Sequence, residues 1–172
     1  MADDLTEKVQ SAQNKFENLV SRIPGYAGYK QKEQRREADK LLRMHVARQY
    51  EEQLKRLGDI QYALTSRGRL ASILSLERAA TKLQLLIDRL KTASYGYAGL
   101  FDAIKVTEET LDKLYEFDRA MLDGVGRVSA LLDKLNEAAQ AEAPTAAEAN
   151  DLINELEALN TAFGRRQDVF IQ

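Results

Sequence analysis

The chain has 172 residues with a formal net charge of -2, 30% charged and 7% aromatic residues, two prolines and no cysteine. That length buries a core without staples, and the lack of cysteine excludes disulfides, thiol nucleophiles and thiolate metal sites. Ala, Leu, Glu, Lys, Gln and Arg dominate and Val-Ile-Thr runs are missing, which favours long helices over sheet in a single domain.

From Asp3 to Ile23, Leu5, Val9, Ala12, Phe16, Leu19 and Ile23 recur three or four apart, the stripe of a first helix over residues 1–23. Pro24-Gly25 ends it, because proline cannot continue the backbone ladder and glycine turns freely. A second helix is predicted over 30–67, striped by Ala38, Leu42, Val46, Tyr50, Leu57, Ile60 and Leu64, with Gly68 as its stop. In the third segment, Ile73, Leu76, Ala80, Leu83, Ile87, Leu90, Ser94, Tyr97, Phe101 and Ile104 alternate three and four apart. The heptad keeps phase through Gly96-Tyr97-Ala98-Gly99, so one helix is predicted over 70–105. Gly96, Gly99 and Ala103 join Thr92 in a stripe of small residues. A closely approaching backbone there would offset the roughly 1 kcal/mol that a helical glycine costs.

Thr107, followed by Glu108 and Glu109, suits the start of a fourth helix over 107–141. Leu111, Leu114, Asp118, Met121, Val125, Val128, Leu132, Leu135 and Ala139 form its stripe. After Pro144, Thr145 and Glu148 match a capping box for a fifth helix over 145–163, carrying Leu152, Leu156, Leu159 and Phe163.

The expected fold is all-α. Three long helices, each roughly 55 Å at 1.5 Å per residue, form an elongated antiparallel bundle because their connections are short. The two terminal helices are each about half that length, and together they match one column, a split fourth member of the bundle.

Two features stand out from this frame. Residues 22–69 hold twelve Lys or Arg against six Asp or Glu, whereas residues 107–157 hold four against thirteen. Such a split serves packing within the chain, packing between copies, or an anionic partner. Tyr26, Tyr29, Lys30, Lys32, Arg35, Arg36, Lys40 and Arg43 form a candidate anion-binding or partner-binding face, although Glu33, Glu37 and Asp39 interrupt it. Second, Ser94 and Asp118 break the apolar stripe of their helices. Folding the chain about Val106 sets Ser94 opposite Asp118, and folding about Gly68 sets Ser94 near Arg43 to His45. His45, Ser94 and Asp118 thus fall at one level, where a hydrogen-bonded layer fixes register as single polar core residues do in coiled coils. A Ser-His-Asp catalytic set is the other reading, but no nucleophile turn or oxyanion donors accompany it.

The stretches RIPGYAGYKQKEQRREADKLLR and TASYGYAGLFDAIKV resemble a family of uncharacterised bacterial helical proteins. That family carries an I-P-G-Y-x-G-Y corner, a following K/R-E-x-R-R-x-A-D-x-x-L run and a Y-G-Y-A-G-L-F-D segment. The similarity covers about Leu19 to Phe117 and implies no activity. The plan of a leading amphipathic helix and a long helical hairpin is also similar, in shape alone, to phage-shock-type membrane-remodelling proteins.

Other chemistry is poorly supported. A ferritin-like di-metal site needs Glu-x-x-His pairs, and Leu42 stands three residues before His45, the lone histidine. No zinc-ligand spacing or phosphate-binding loop occurs, so no metal, cofactor or catalytic residue is expected. No apolar run approaches the ~20 residues that span a bilayer. The acidic opening MADDLTEKVQ does not read as a signal peptide, so a cytoplasmic location is expected. The function expected is a non-enzymatic scaffold or adaptor acting through helix-face protein contacts or self-association. The alternative is a peripheral binder of anionic membrane or polyanion through the basic face, with nucleic acid disfavoured because the domain is not basic overall.

Overall fold

The computed structural model describes residues 32–93 and 108–168, with side chains over 40–93 and 116–165. The first predicted helix, its Pro-Gly corner, Tyr26, Tyr29, Lys30, Ser94, Gly96, Gly99 and Ala103 lie outside the described residues.

The described residues form four helices and no strand: α1 over Lys32–Ser66, α2 over Ile73–Thr92, α3 over Glu108–Gln140 and α4 over Ala146–Asp168. The predicted stripes are the buried ones. Leu42, Val46, Tyr50, Leu57 and Leu64 of α1 meet Leu76, Leu83, Ile87 and Leu90 of α2, with Met121, Val128, Leu132 and Leu135 of α3 and Leu152, Leu156, Leu159 and Phe163 of α4. Each such side chain contributes roughly 1.5–3 kcal/mol when taken fully from water.

The neighbours differ from those predicted. α1 packs on α2 and α3, and α4 packs on the same two, so α1 and α4 occupy one diagonal of a square and α2 and α3 the other. The short connection from Ser66 to Ile73 makes the packed pair α1 and α2 antiparallel. The equally short connection from Gln140 to Ala146 does the same for α3 and α4. Tyr50 with Met121 and Arg56 with Asp133 run α1 parallel to α3. Lys82 with Glu157 and Arg89 with Asn160 run α2 parallel to α4. The bundle is thus two antiparallel hairpins laid side by side.

This arrangement corrects two expectations. α2 and α3 are not antiparallel neighbours, so Ser94 and Asp118 were paired on a wrong fold line. Nor is there one helix over 70–105. α2 begins at Ile73 and ends at Thr92, and Ala93 caps it with ψ 54, outside the helical region. The heptad shows which face would be buried if the helix continued. It does not show that the helix continues. The long columns are therefore α1 and α3, of 35 and 33 residues, beside shorter α2 and α4, of 20 and 23. α4 fills the fourth column over the described levels, and the other half of the proposed split column lies outside the described residues.

Both hairpin turns use a left-handed residue. Gly68 has φ 71 and closes α1 in a Schellman arrangement: Arg69 N–H bonds the Leu64 carbonyl and Gly68 N–H that of Thr65, each at 2.9 Å. At the end of α3 the equivalent position is Glu142, with φ 55, and Ala143 N–H bonds the Ala138 carbonyl at 2.9 Å. A side chain in that conformation costs roughly 1–2 kcal/mol, which glycine avoids. Glu142→Gly is expected to raise stability by about 0.5–1 kcal/mol, and Gly68→Ala to lower it by about 1 kcal/mol, both read from urea unfolding midpoints at constant slope.

Candidate functional site

Of the candidate polar layer, His45 and Asp118 lie within the described residues and Ser94 outside them. Asp118 is 7% exposed and Arg43 6%, both buried as the layer requires, while His45 is half-buried. The parallel register of Tyr50 with Met121 and Arg56 with Ser129 sets Asp118 level with about His45 to Ala47 of α1. His45 and Asp118 thus stand near one level, and the neighbour relation that sets it is parallel rather than antiparallel. Arg43 donates from Nη1 to the Leu90 carbonyl at 3.1 Å, in the last turn of α2. Its guanidinium is drawn inward to close a helix end, which corrects its assignment to an outward anion-binding face. Lys40 is exposed. Lys32, Arg35 and Arg36 fall on the first turns of α1, and their side chains lie outside the described set.

Arginines close the other hairpin end too. No basic residue stands in the last turn of α3. Arg69 Nη1 instead donates to the Ala139 carbonyl at 2.9 Å, its Nη2 to the Ala143 carbonyl, and Arg67 Nη1 to Ala139 at 3.4 Å. The parallel pairing brings the C-termini of α1 and α3 to one corner, where two partial negative charges meet. Arg67 and Arg69 neutralise that corner. Beside it the N-termini of α2 and α4 meet, and the buried hydroxyl of Thr145 donates to that of Ser72 at 2.8 Å. The reciprocal capping box is therefore not made. Glu148 Oε2 is buried with no hydrogen-bond partner, in the first turn of α4, where the positive helix end favours a carboxylate.

At mid-height Tyr50 is fully buried and donates to the Met121 carbonyl at 2.8 Å. Burial, more than the opposing charges of Arg127 and Glu155, pushes its phenol pKa above the ordinary range. A Cβ added to Gly124 would lie 2.5 Å from the Tyr50 hydroxyl and 2.6 Å from Leu159 Cδ2. Gly124 is thus the close-packing glycine of the described bundle. It sits among Met121, Val125 and Val128 on the buried stripe of α3, and that position was the signal available in the sequence.

Among the described residues an ion pair crosses each of the four helix contacts: Glu51–Lys91, Arg56–Asp133, Lys82–Glu157 at 2.8 Å and Arg127–Glu155 at 2.8 Å. Lys82 holds the Glu157 carboxyl below its usual range, by its hydrogen bond first and its charge second. Surface pairs of this kind add little stability in water, and their placement favours these helix neighbours over others. Among the described residues no group of three or more His, Asp or Glu could hold a metal ion, and no helix is long and apolar enough to cross a membrane. Comparison with protein-family models, curated proteins and solved structures returned no match.

Gly124→Ala should destabilise by about 1–3 kcal/mol through overpacking, despite its better helix propensity. Gly126→Ala, where a Cβ meets nothing within 4 Å, should stabilise by up to about 1 kcal/mol. Thermal melts of the two variants test the contrast. The Tyr50 phenol also makes a pH prediction. Its folded pKa lies above the unfolded value, so above about pH 10 the unfolded state holds fewer protons and stability falls as pH rises. Tyr50→Phe should be less stable at neutral pH by about 1 kcal/mol, and its stability should decline less steeply above pH 10 in urea titrations.

Proposed function

We propose that the protein is a non-enzymatic helical scaffold or adaptor that works through protein–protein contacts on its outer helix faces. The observation that carries this reading is the end of the first hairpin, where Leu70 is 62% exposed and Leu74 75%. Both are large apolar side chains, one in a short turn and one on the first turn of α2. A helix start held by the core presents such a side chain with little conformational freedom left to lose on binding, which favours a protein contact. Part of the charge split, which suggested an anionic partner, is used inside the chain. Arg56 and Lys82 of the first hairpin pair with Asp133 and Glu157 of the second, and Arg67 and Arg69 cap α3. What remains outside is mixed charge, which selects among protein partners better than it attracts a polyanion.

A photocrosslinking residue at position 74 of the full chain tests this. The expected outcome is a discrete protein adduct, lost when Leu70→Ser competes poorly for the same partner, and equal flotation with neutral and anionic vesicles. Absence of adducts together with selective flotation on anionic vesicles would overturn the reading in favour of membrane-surface binding.

A further inference from the structure

The outward face of α1 carries charges of alternating sign. Arg48, Glu52, Lys55 and Asp59 are all exposed. Their spacing of four, three and four residues puts them in one stripe, opposite the buried Val46, Tyr50, Gln53, Leu57 and Ile60. Arg48–Glu52 and Lys55–Asp59 have the spacing for pairs within the helix, yet none of the four takes part in a described ion pair or hydrogen bond. Their neighbours Glu51 and Arg56, turned toward α2 and α3, are both engaged.

The order plus, minus, plus, minus has a definite symmetry, because reversing its direction exchanges every sign. A second α1 laid antiparallel across this face, with a twofold axis at the level of Gln53 and Leu54, sets Arg48 against Asp59 of the second copy and Glu52 against its Lys55, each pair formed twice. Sliding one copy by a turn in either direction sets Glu52 on Asp59 or Arg48 on Lys55, like on like, so the charges select one register.

The same register matches the apolar residues. Leu41, 40% exposed, and Tyr62, 77% exposed, are the large apolar side chains α1 leaves in water among the described residues. They stand near opposite ends of the stripe. In the charge-selected register Tyr62 falls over Leu41, Met44, His45 and Arg48 of the second copy. Those four have the i, i+3, i+4, i+7 spacing of a hole that receives one knob. Met44 and His45 are half-buried, so the hole has a floor, and Arg48 offers a cation to the tyrosine ring. Charge and apolar shape, read separately, point to the same alignment.

We propose that the protein forms an antiparallel twofold dimer through the outer face of α1. The dimer rests on the scaffold reading and names its first partner as a second copy of the chain. Two tyrosine knobs hold the ends and four ion pairs the centre. Exposed ion pairs are weakened by salt, so the association is reversible and salt-sensitive.

Sedimentation equilibrium of the full chain, from roughly 1 µM to 1 mM and across a salt series, tests it. The expected result is a monomer–dimer equilibrium that weakens as salt rises. Arg48→Glu and Asp59→Arg should each raise the dimer dissociation constant by about tenfold or more, since each places like charges together twice. Both changes in one chain rebuild the pair with reversed sign and should restore association. Tyr62→Ser should weaken it to a similar degree. All three positions are exposed, and circular dichroism of each variant checks that the helices persist. A monomer at every concentration, a dimer indifferent to the single reversals, or a double variant that stays weak would overturn the proposal. If the dimer fails while the adduct at position 74 persists, the scaffold reading stands without it; if both are lost, both fall.

Discussion

The arrangement of the bundle depends on the close approach of α1 and α3 at Tyr50. A phenol buried without a hydrogen-bond acceptor would cost roughly 1–3 kcal/mol, so its hydroxyl must reach one, and the Met121 carbonyl is the acceptor it meets. Two helices running in the same direction come near enough for this only because residue 124 has no side chain. Parallel packing in turn gathers like helix ends, two C-termini at one corner and two N-termini at the next. Arg67 and Arg69 at the first corner, and Glu148 at the second, answer the charge so gathered. Placement of these residues at the turns thus follows from an approach made some distance down the helices.

The charge split takes on a different meaning in this frame. Read along the chain, a basic half and an acidic half suggest attraction to something else. Read in space, they belong to the two hairpins, and Arg56, Lys82, Arg67 and Arg69 of one lie on anions and carbonyl ends of the other. A hairpin that paired with its own kind through these faces would bring like charges together. The split therefore acts on which hairpin docks with which, while apolar burial supplies most of the energy.

Much of this was legible in the sequence, though unevenly. The stripes of α1, α3 and α4 were readable because burial acts on every third or fourth residue over many turns, so Leu42 to Leu64 and Met121 to Leu135 announce their faces. Asp118 was readable as an interior exception for the same reason. Periodicity is silent on which face meets which. The order of columns around the square was lost with it, and so was the end of α2 at Thr92. Arg43 was read as a surface cation because arginine usually is one, whereas its long side chain carries the charge inward to a helix terminus. Gly124 was passed over in favour of Gly96 and Gly99, which stand in a more conspicuous repeat. Tyr62 and Leu41 were not picked out because single exposed apolar residues are ordinary. They gain meaning only once the structure shows which face of α1 is outermost.

The side-by-side hairpins also bear on the order in which contacts can form. Within a hairpin, Arg127 meets Glu155 across 28 residues and Arg43 meets Leu90 across 47. Between hairpins the separations run from 70 residues for Arg69 with Ala139 to 78 for Asn160 with Lys82. The extra chain entropy of the longer closures is at most about 0.9 kcal/mol, so loop length alone separates the steps only weakly. Synthesis does separate them, because residues 32–92 leave the ribosome before α3 and α4 do. The first hairpin can close in that interval, but its Leu64, Leu76 and Leu83 must wait for a partner surface still being made. The nascent chain therefore passes through a stage with a formed hairpin and an uncovered apolar face, where aggregation and chaperone capture compete with docking.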